Sequence, residues 1–186
     1  VDGAAVRLRN TTSHYGLISK LLHWTIAVLI LGLVWLGAYM VELSYFDKWY
    51  NQSLSLHKSL GLLVFALAGF YFTWKIFSPS PMGLAVAPRW QQISARLVHA
   101  GLMLLMVAIP LSGYLISTSA GKPVDFFGLF EVPPPARNNK EIRDLAITLH
   151  YYCAYGIVLL VVAHAGAAVK HQLFDKDGTL ARMLWR

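Results

Sequence analysis

The sequence predicts an all-α protein: a four-helix transmembrane bundle with both termini on the cytoplasmic side. Two observations lead there. Of 186 residues, 56% are hydrophobic and only 13% charged, against about 25% charged in soluble domains. A chain with so thin a polar coat suits lipid better than water. The second observation is four separate stretches, each long enough at about 20 mainly apolar residues to cross the hydrocarbon core. They run over residues 17–43, 54–77, 94–117 and 145–171. At about 100–200 residues per domain, the length fits a single domain over residues 1–186.

The joints between the spans are polar or rich in Pro and Gly. They cover residues 44–53, 78–93 (with Pro79, Pro81 and Pro88) and 118–144. Pro110 falls inside the third span, where its missing N–H and its ring are expected to bend the helix. Trp24, Trp35, Trp49 and Trp74 fall mostly near span ends, as an interfacial aromatic belt requires. Residues Val1 to Thr12 are polar and basic, without the short apolar core and small-residue cleavage site of a secretory leader, so none is expected. Cys153, the single cysteine, excludes an internal disulfide and reads as a small buried hydrophobe.

The net charge of +7 could suggest a nucleic-acid partner, but in a membrane chain basic residues report orientation first. One side of the predicted bundle carries Arg7, Arg9, Lys20, Lys75, Arg89, Arg96, Lys170, Lys176, Arg182 and Arg186, with only Asp2, Asp175 and Asp177 against them. The other side carries six basic residues, Lys48, Lys58, Lys122, Arg137, Lys140 and Arg143, matched by six acids. The first side is therefore expected to be cytoplasmic, which leaves the 118–144 loop in the periplasm.

Histidine is the residue that points to chemistry. An ionisable side chain within a span is costly and is a functional hypothesis by default. His23, His57, His99, His150 and His164 all lie within the spans, with His14 ahead of the first and His171 at the end of the fourth. Any one of them alone could be a hydrogen-bonded structural residue; the arrangement says more. His150 and His164 are 14 residues apart, close to four helical turns, so they share a face at levels ~21 Å apart. Topology puts His57 level with His150 toward the periplasm, and His23 level with His164 toward the cytoplasm.

Two trans-bundle pairs result, His57/His150 and His23/His164. Each could ligate a haem iron axially, since facing side chains in a bundle commonly build cofactor sites. Two imidazoles leave no open coordination position, which favours electron transfer. Zinc, which prefers three or four close ligands, finds few carboxylates near these pairs. Small residues flanking the histidines (Gly61, Ala154, Gly156, Ala163, Ala165 to Ala168) could leave room for a flat macrocycle or simply allow close helix packing. His99 is level with His23 and His164 and is read as a supporting residue or an alternative ligand. His14 and His171 are read as supporting or structural.

The chain resembles the prokaryotic cytochrome b561 family over nearly its full length. The resemblance rests on His14-Tyr15-Gly16 and Leu22-His23-Trp24 at the first span, and on Leu56-His57-Lys58-Ser59-Leu60-Gly61 at the second. It continues through Arg96-Leu97-Val98-His99 and Pro110-Leu111-Ser112-Gly113-Tyr114 to Leu149-His150, Ala163-His164-Ala165, Lys170-His171 and Asp175-Lys176-Asp177-Gly178-Thr179-Leu180. The loop Ser117 to Val124 with Phe127-Gly128-Leu129-Phe130 is similar to a branch whose members are often associated with a periplasmic, lipocalin-like isoprenoid-binding protein.

The resemblance implies two haem b groups, a bacterial cytoplasmic (inner) membrane location and electron exchange with quinone. By position, the family's four axial ligands fall on His23, His57, His150 and His164. One member oxidises superoxide in the periplasm and passes the electron to ubiquinone, so a superoxide:quinone oxidoreductase activity is one expectation here. Anionic haem propionates, or an anionic substrate, call for basic partners near each interface. Lys58, Lys122 and Arg143 are the periplasmic candidates; Lys20, Arg96 and Lys170 are the cytoplasmic ones. Each of them could instead snorkel to lipid phosphates. Two other readings stay open: a haem-bearing membrane subunit that passes electrons for a separate dehydrogenase or periplasmic partner, and a His-lined metal or proton transporter without haem.

Overall fold

The computed structural model describes residues 7–81, 88–134 and 139–184. The charges at Asp2, Arg137 and Arg186, used in the orientation argument, lie outside them. Four long helices, α1 (Leu17–Val41), α2 (Tyr50–Phe77), α3 (Arg89–Thr118) and α4 (Lys140–Lys170), are each long and apolar enough to cross a membrane. A two-stranded hairpin, β1 (Val124–Phe126) and β2 (Phe130–Val132), joins α3 to α4. Beyond α4 come a π-helical turn (His171–Asp175) and a short α5 (Thr179–Leu184).

The helices outrun the apolar stretches. α2 starts at Tyr50, α3 at Arg89 and α4 at Lys140, each several residues before the predicted span, while α1 stops at Val41. Hydropathy marks where lipid begins, whereas a helix ends where its backbone groups find other partners. The signals for the longer helices were local. Pro88 precedes α3, and Asn139 caps α4 by accepting the Ile142 N–H at 2.9 Å. α3 runs through Pro110 without a break.

α1 packs on α2, α2 on α3 and α3 on α4, whereas no comparable backbone packing joins α4 to α1 or α2. The apolar core is Ile26, Val64, Ala68 and Met106, with Leu29, Ile30, Leu33, Leu67, Tyr71, Phe72 and Val107 against it. Val64 is seven residues from His57, Met106 seven from His99, and the 2%-exposed Ile157 seven from both His150 and His164. Seven residues are two turns, or about 10.5 Å of rise. The core is thus a mid-depth apolar layer with one histidine level on each side.

Two sets of contacts define the ends of the bundle. At one, the N-terminal segment, the α2–α3 joint and α5 come together. Asn10 donates from its backbone N–H to Ser78 Oγ and from its side chain to the Ser78 carbonyl, both at 2.9 Å. The Arg182 guanidinium donates to the Ser13 carbonyl at 2.7 and 3.1 Å, and the Trp24 indole donates to the Met183 carbonyl at 3.0 Å. At the other end the hairpin folds over the start of α2. Ser59, only 1% exposed, donates to the Asp125 carbonyl and accepts from the Phe127 N–H, each at 3.1 Å. Phe127 and Gly128 make the turn at positive φ (54° and 72°), and the Asp125 carboxylate accepts the Gly128 N–H at 2.9 Å. This hairpin was not foreseen from sequence.

Candidate functional site

At the hairpin end, the His57 and His150 rings face each other with centroids 6.1 Å apart. At the terminal end, His23 and His164 do the same at 6.0 Å. Both pairs bridge the gap that helix packing leaves between α4 and the α1–α2 pair. The four histidines are half-buried.

The spacing can be tested against a haem iron held from both sides. A metal–nitrogen bond of about 2 Å plus a ring radius of roughly 1 Å, counted on both sides, puts two axial imidazole centroids about 6 Å apart. Both pairs meet that condition. Three histidines stand at the terminal end, since His99 lies 5.0 Å from His164, centroid to centroid. They do not bring three nitrogens within coordinating distance of one another, which counts against a three-histidine zinc site among the described residues.

The hairpin-end pair is the more closely supported. His150 Nδ1 is 3.0 Å from the Ile109 carbonyl and 3.1 Å from Ser112 Oγ, and Ser112 Oγ itself donates to Ile109 at 2.8 Å. A ring N–H given to a carbonyl fixes the tautomer, leaving the lone pair of Nε2 free for a metal. A Cβ on Gly113 would sit 3.1 Å from His150 Cε1, and one on Gly37 would sit 3.2 Å from His57 Cε1. Each ring is therefore backed by a glycine on a neighbouring helix. His57 Nδ1 is buried with no hydrogen-bond partner. Sequence reasoning missed Gly37, Gly113, Ser112 and the Ile109 carbonyl. Only the motif Ser112-Gly113, about a turn and a half before the end of α3 at Thr118, hinted at them.

Of the other small residues, Gly61 and Gly166 have open space where a Cβ would point, while Gly156 packs against Leu105. Room for a macrocycle and close helix packing thus both occur, at different positions. Among the basic candidates, Lys58 is half-buried and close enough to the exposed Lys122 to feel its charge. Arg143 and Arg96 are exposed. Lys170 is engaged elsewhere, 2.6 Å from the Asp175 carboxylate. Lys75, which sequence reasoning used only for orientation, is a basic side chain near His99. It lies over the Tyr71 ring, 6.0 Å from its centroid, and 3.4 Å from the Met103 sulfur.

Residues 14–186 match the family described as prokaryotic cytochrome b561. Cytochrome b561 homolog 2 of Escherichia coli (strain K12) is 42% identical over 94% of this chain and 93% of its own length. Cytochrome b561 homolog 1 of the same organism is 33% identical over 89% of this chain and 93% of its own. A more distant relative, named "Probable superoxide oxidase CybB" in Yersinia pestis, is 26% identical over 88% and 91%. The chain belongs to the prokaryotic cytochrome b561 family, whose members are membrane haem proteins.

Proposed function

We propose that this chain is a dihaem b-type cytochrome of the bacterial inner membrane that transfers electrons between a periplasmic reductant and membrane quinone. One observation carries the reading: two histidine pairs, each with the centroid spacing of axial ligands, lie on opposite sides of an apolar layer. When bound, haem supplies a one-electron carrier at each level.

The chain's own residues do the positioning. His57 and His150 would hold the periplasmic haem, and His23 and His164 the cytoplasmic one. The Ile109 carbonyl and Ser112 set the tautomer of His150, while Gly37 and Gly113 admit the rings. The mid-depth layer around Val64 and Met106 keeps water and ions from bridging the two levels. The hairpin, tied down by Ser59, covers the periplasmic level, and Lys58 with Lys122 supplies positive charge there for propionates or an anionic reductant. The excess of basic residues supports a cytoplasmic position for both termini.

Superoxide is the first reductant to test, because the Yersinia relative carries that activity in its name. An apolar groove between α3 and α4 is lined by Ala108, Leu111, Leu115, Ile142 and Leu149 among others. It offers one hydroxyl, that of Ser112, and no charged group, so no quinone headgroup is assigned to it.

The test uses purified, haem-loaded protein in lipid nanodiscs. Superoxide added by rapid mixing should bring up the reduced α band, and a water-soluble ubiquinone should then reverse it. Reduction by ubiquinol but not by superoxide would keep the quinone link and move the search to another donor. That outcome favours the second reading, a haem-bearing subunit serving a separate dehydrogenase or periplasmic partner. Protein that exchanges electrons with neither would overturn the proposal.

A further inference from the structure

Seven residues beyond His164, the last turn of α4 relaxes into a π-helical turn, and the chain reverses at Lys176 (φ 52°) and Gly178 (φ 77°). The reversal brings the Asp177 carboxylate back over His171. His171 Nδ1 then has Asp175 Oδ2 at 2.7 Å and Asp177 Oδ2 at 3.0 Å, and the three side chains are only 20%, 35% and 22% exposed. Nδ1 itself is shut off from solvent. One ring nitrogen and two carboxylate oxygens thus converge, all within 4.8 Å of one another.

We infer that His171, Asp175 and Asp177 form a binding site for a divalent first-row transition cation of the zinc or manganese kind. One imidazole and two carboxylates make a mixed N,O donor set, too nitrogen-rich for calcium and without the thiolates of a soft-metal site. With bonds of about 2.1 Å, neighbouring ligand atoms in an octahedral shell lie about 3.0 Å apart, close to the separations seen here. Three protein ligands leave further positions for water at a partly exposed surface.

The Asp177 carboxylate is itself held from behind, through its other oxygen, as metal-ligating groups usually are. The Thr179 N–H donates to Asp177 Oδ1 at 2.9 Å, whereas Lys170 Nζ lies 2.6 Å from Asp175 Oδ2, the oxygen that faces His171, and a cation there takes its place. Partial burial pushes the Asp177 carboxyl up. The Thr179 hydrogen bonds, with the nearby His171, more than reverse this and hold it below the ordinary carboxylate range. A bound cation would staple the end of α4 to α5. α5 in turn holds the Ser13 carbonyl and Trp24, whose ring packs edge-on against His23 at 5.2 Å.

The test is equilibrium dialysis of chelator-stripped, haem-loaded protein in phosphatidylcholine nanodiscs against Zn2+, counting metal per chain against empty nanodiscs. One Zn2+ per chain is expected. His171→Ala, Asp175→Asn and Asp177→Asn should each bind it at least roughly tenfold more weakly, with the haem spectrum unchanged. Zn2+ binding no greater than empty nanodiscs, or undiminished binding in Asp177→Asn and Asp175→Asn, would overturn the site. Should His171→Ala fail to assemble, the two asparagine variants, which keep size and shape, still decide it.

Discussion

On the dihaem reading proposed above, His150→Ala should remove one haem and leave the other. Pyridine haemochrome should fall to about half, and the surviving spectrum should remain that of a low-spin, bis-histidine b haem. His57→Ala should give the same product, because the two rings form one pair at 6.1 Å and a single imidazole cannot hold the iron from both sides. The His23/His164 pair lies beyond the apolar layer, ~21 Å away along α4, so its haem should survive both variants. Gly113→Val should produce a milder form of the same loss. Its side chain would meet the His150 ring where a single Cβ is already 3.1 Å from Cε1. If His150→Ala emptied both levels while the protein stayed folded, the two sites would not be independent and the pairing across the bundle would be wrong.

The second large effect distinguishes the three histidines at the other end. His164→Ala should lose the cytoplasmic haem, whereas His99→Ala should retain two haems per chain. The ring geometry makes the difference. His23 and His164 are 6.0 Å apart, as two axial ligands require, but His99 and His164 are 5.0 Å apart, about 1 Å too close for an iron between them. His99 lies against His164, with ring centroids 5.0 Å apart, so its ring dipole sits beside that ligand. His99→Ala should therefore shift the midpoint potential of the cytoplasmic haem without emptying it. Loss of a haem in His99→Ala with retention in His164→Ala would exchange the two roles.

Much of this was legible in the sequence because it depends on periodicity. The four spans follow from runs of apolar residues. The two levels follow from the 14-residue spacing of His150 and His164, since whole turns preserve the face. The partners His57 and His23 follow from counting which end of each helix faces which side.

What depends on helix-to-helix register was not legible. Nothing local announces that the Ile109 carbonyl will meet His150, because that contact needs the rotation and depth of α3 against α4. The glycine backing of both rings has the same origin. The hairpin at Val124–Val132 escaped because each strand has only three residues, too short for an alternating pattern, although Asp125 and Gly128 mark its turn. Helix starts at Tyr50 and Lys140 escaped because they lie in polar sequence that a hydropathy reading assigns to loops. The His171, Asp175 and Asp177 cluster is close in sequence, but its convergence depends on the left-handed turn at Lys176.

The most direct test of the central claim is the haem count of the purified wild-type chain by pyridine haemochrome, taken with its low-temperature EPR spectrum in the oxidised state. Two histidine pairs predict two b-type haems per chain and low-spin signals only. One haem per chain, or a high-spin signal from an iron lacking its second histidine, would contradict the two-pair assignment.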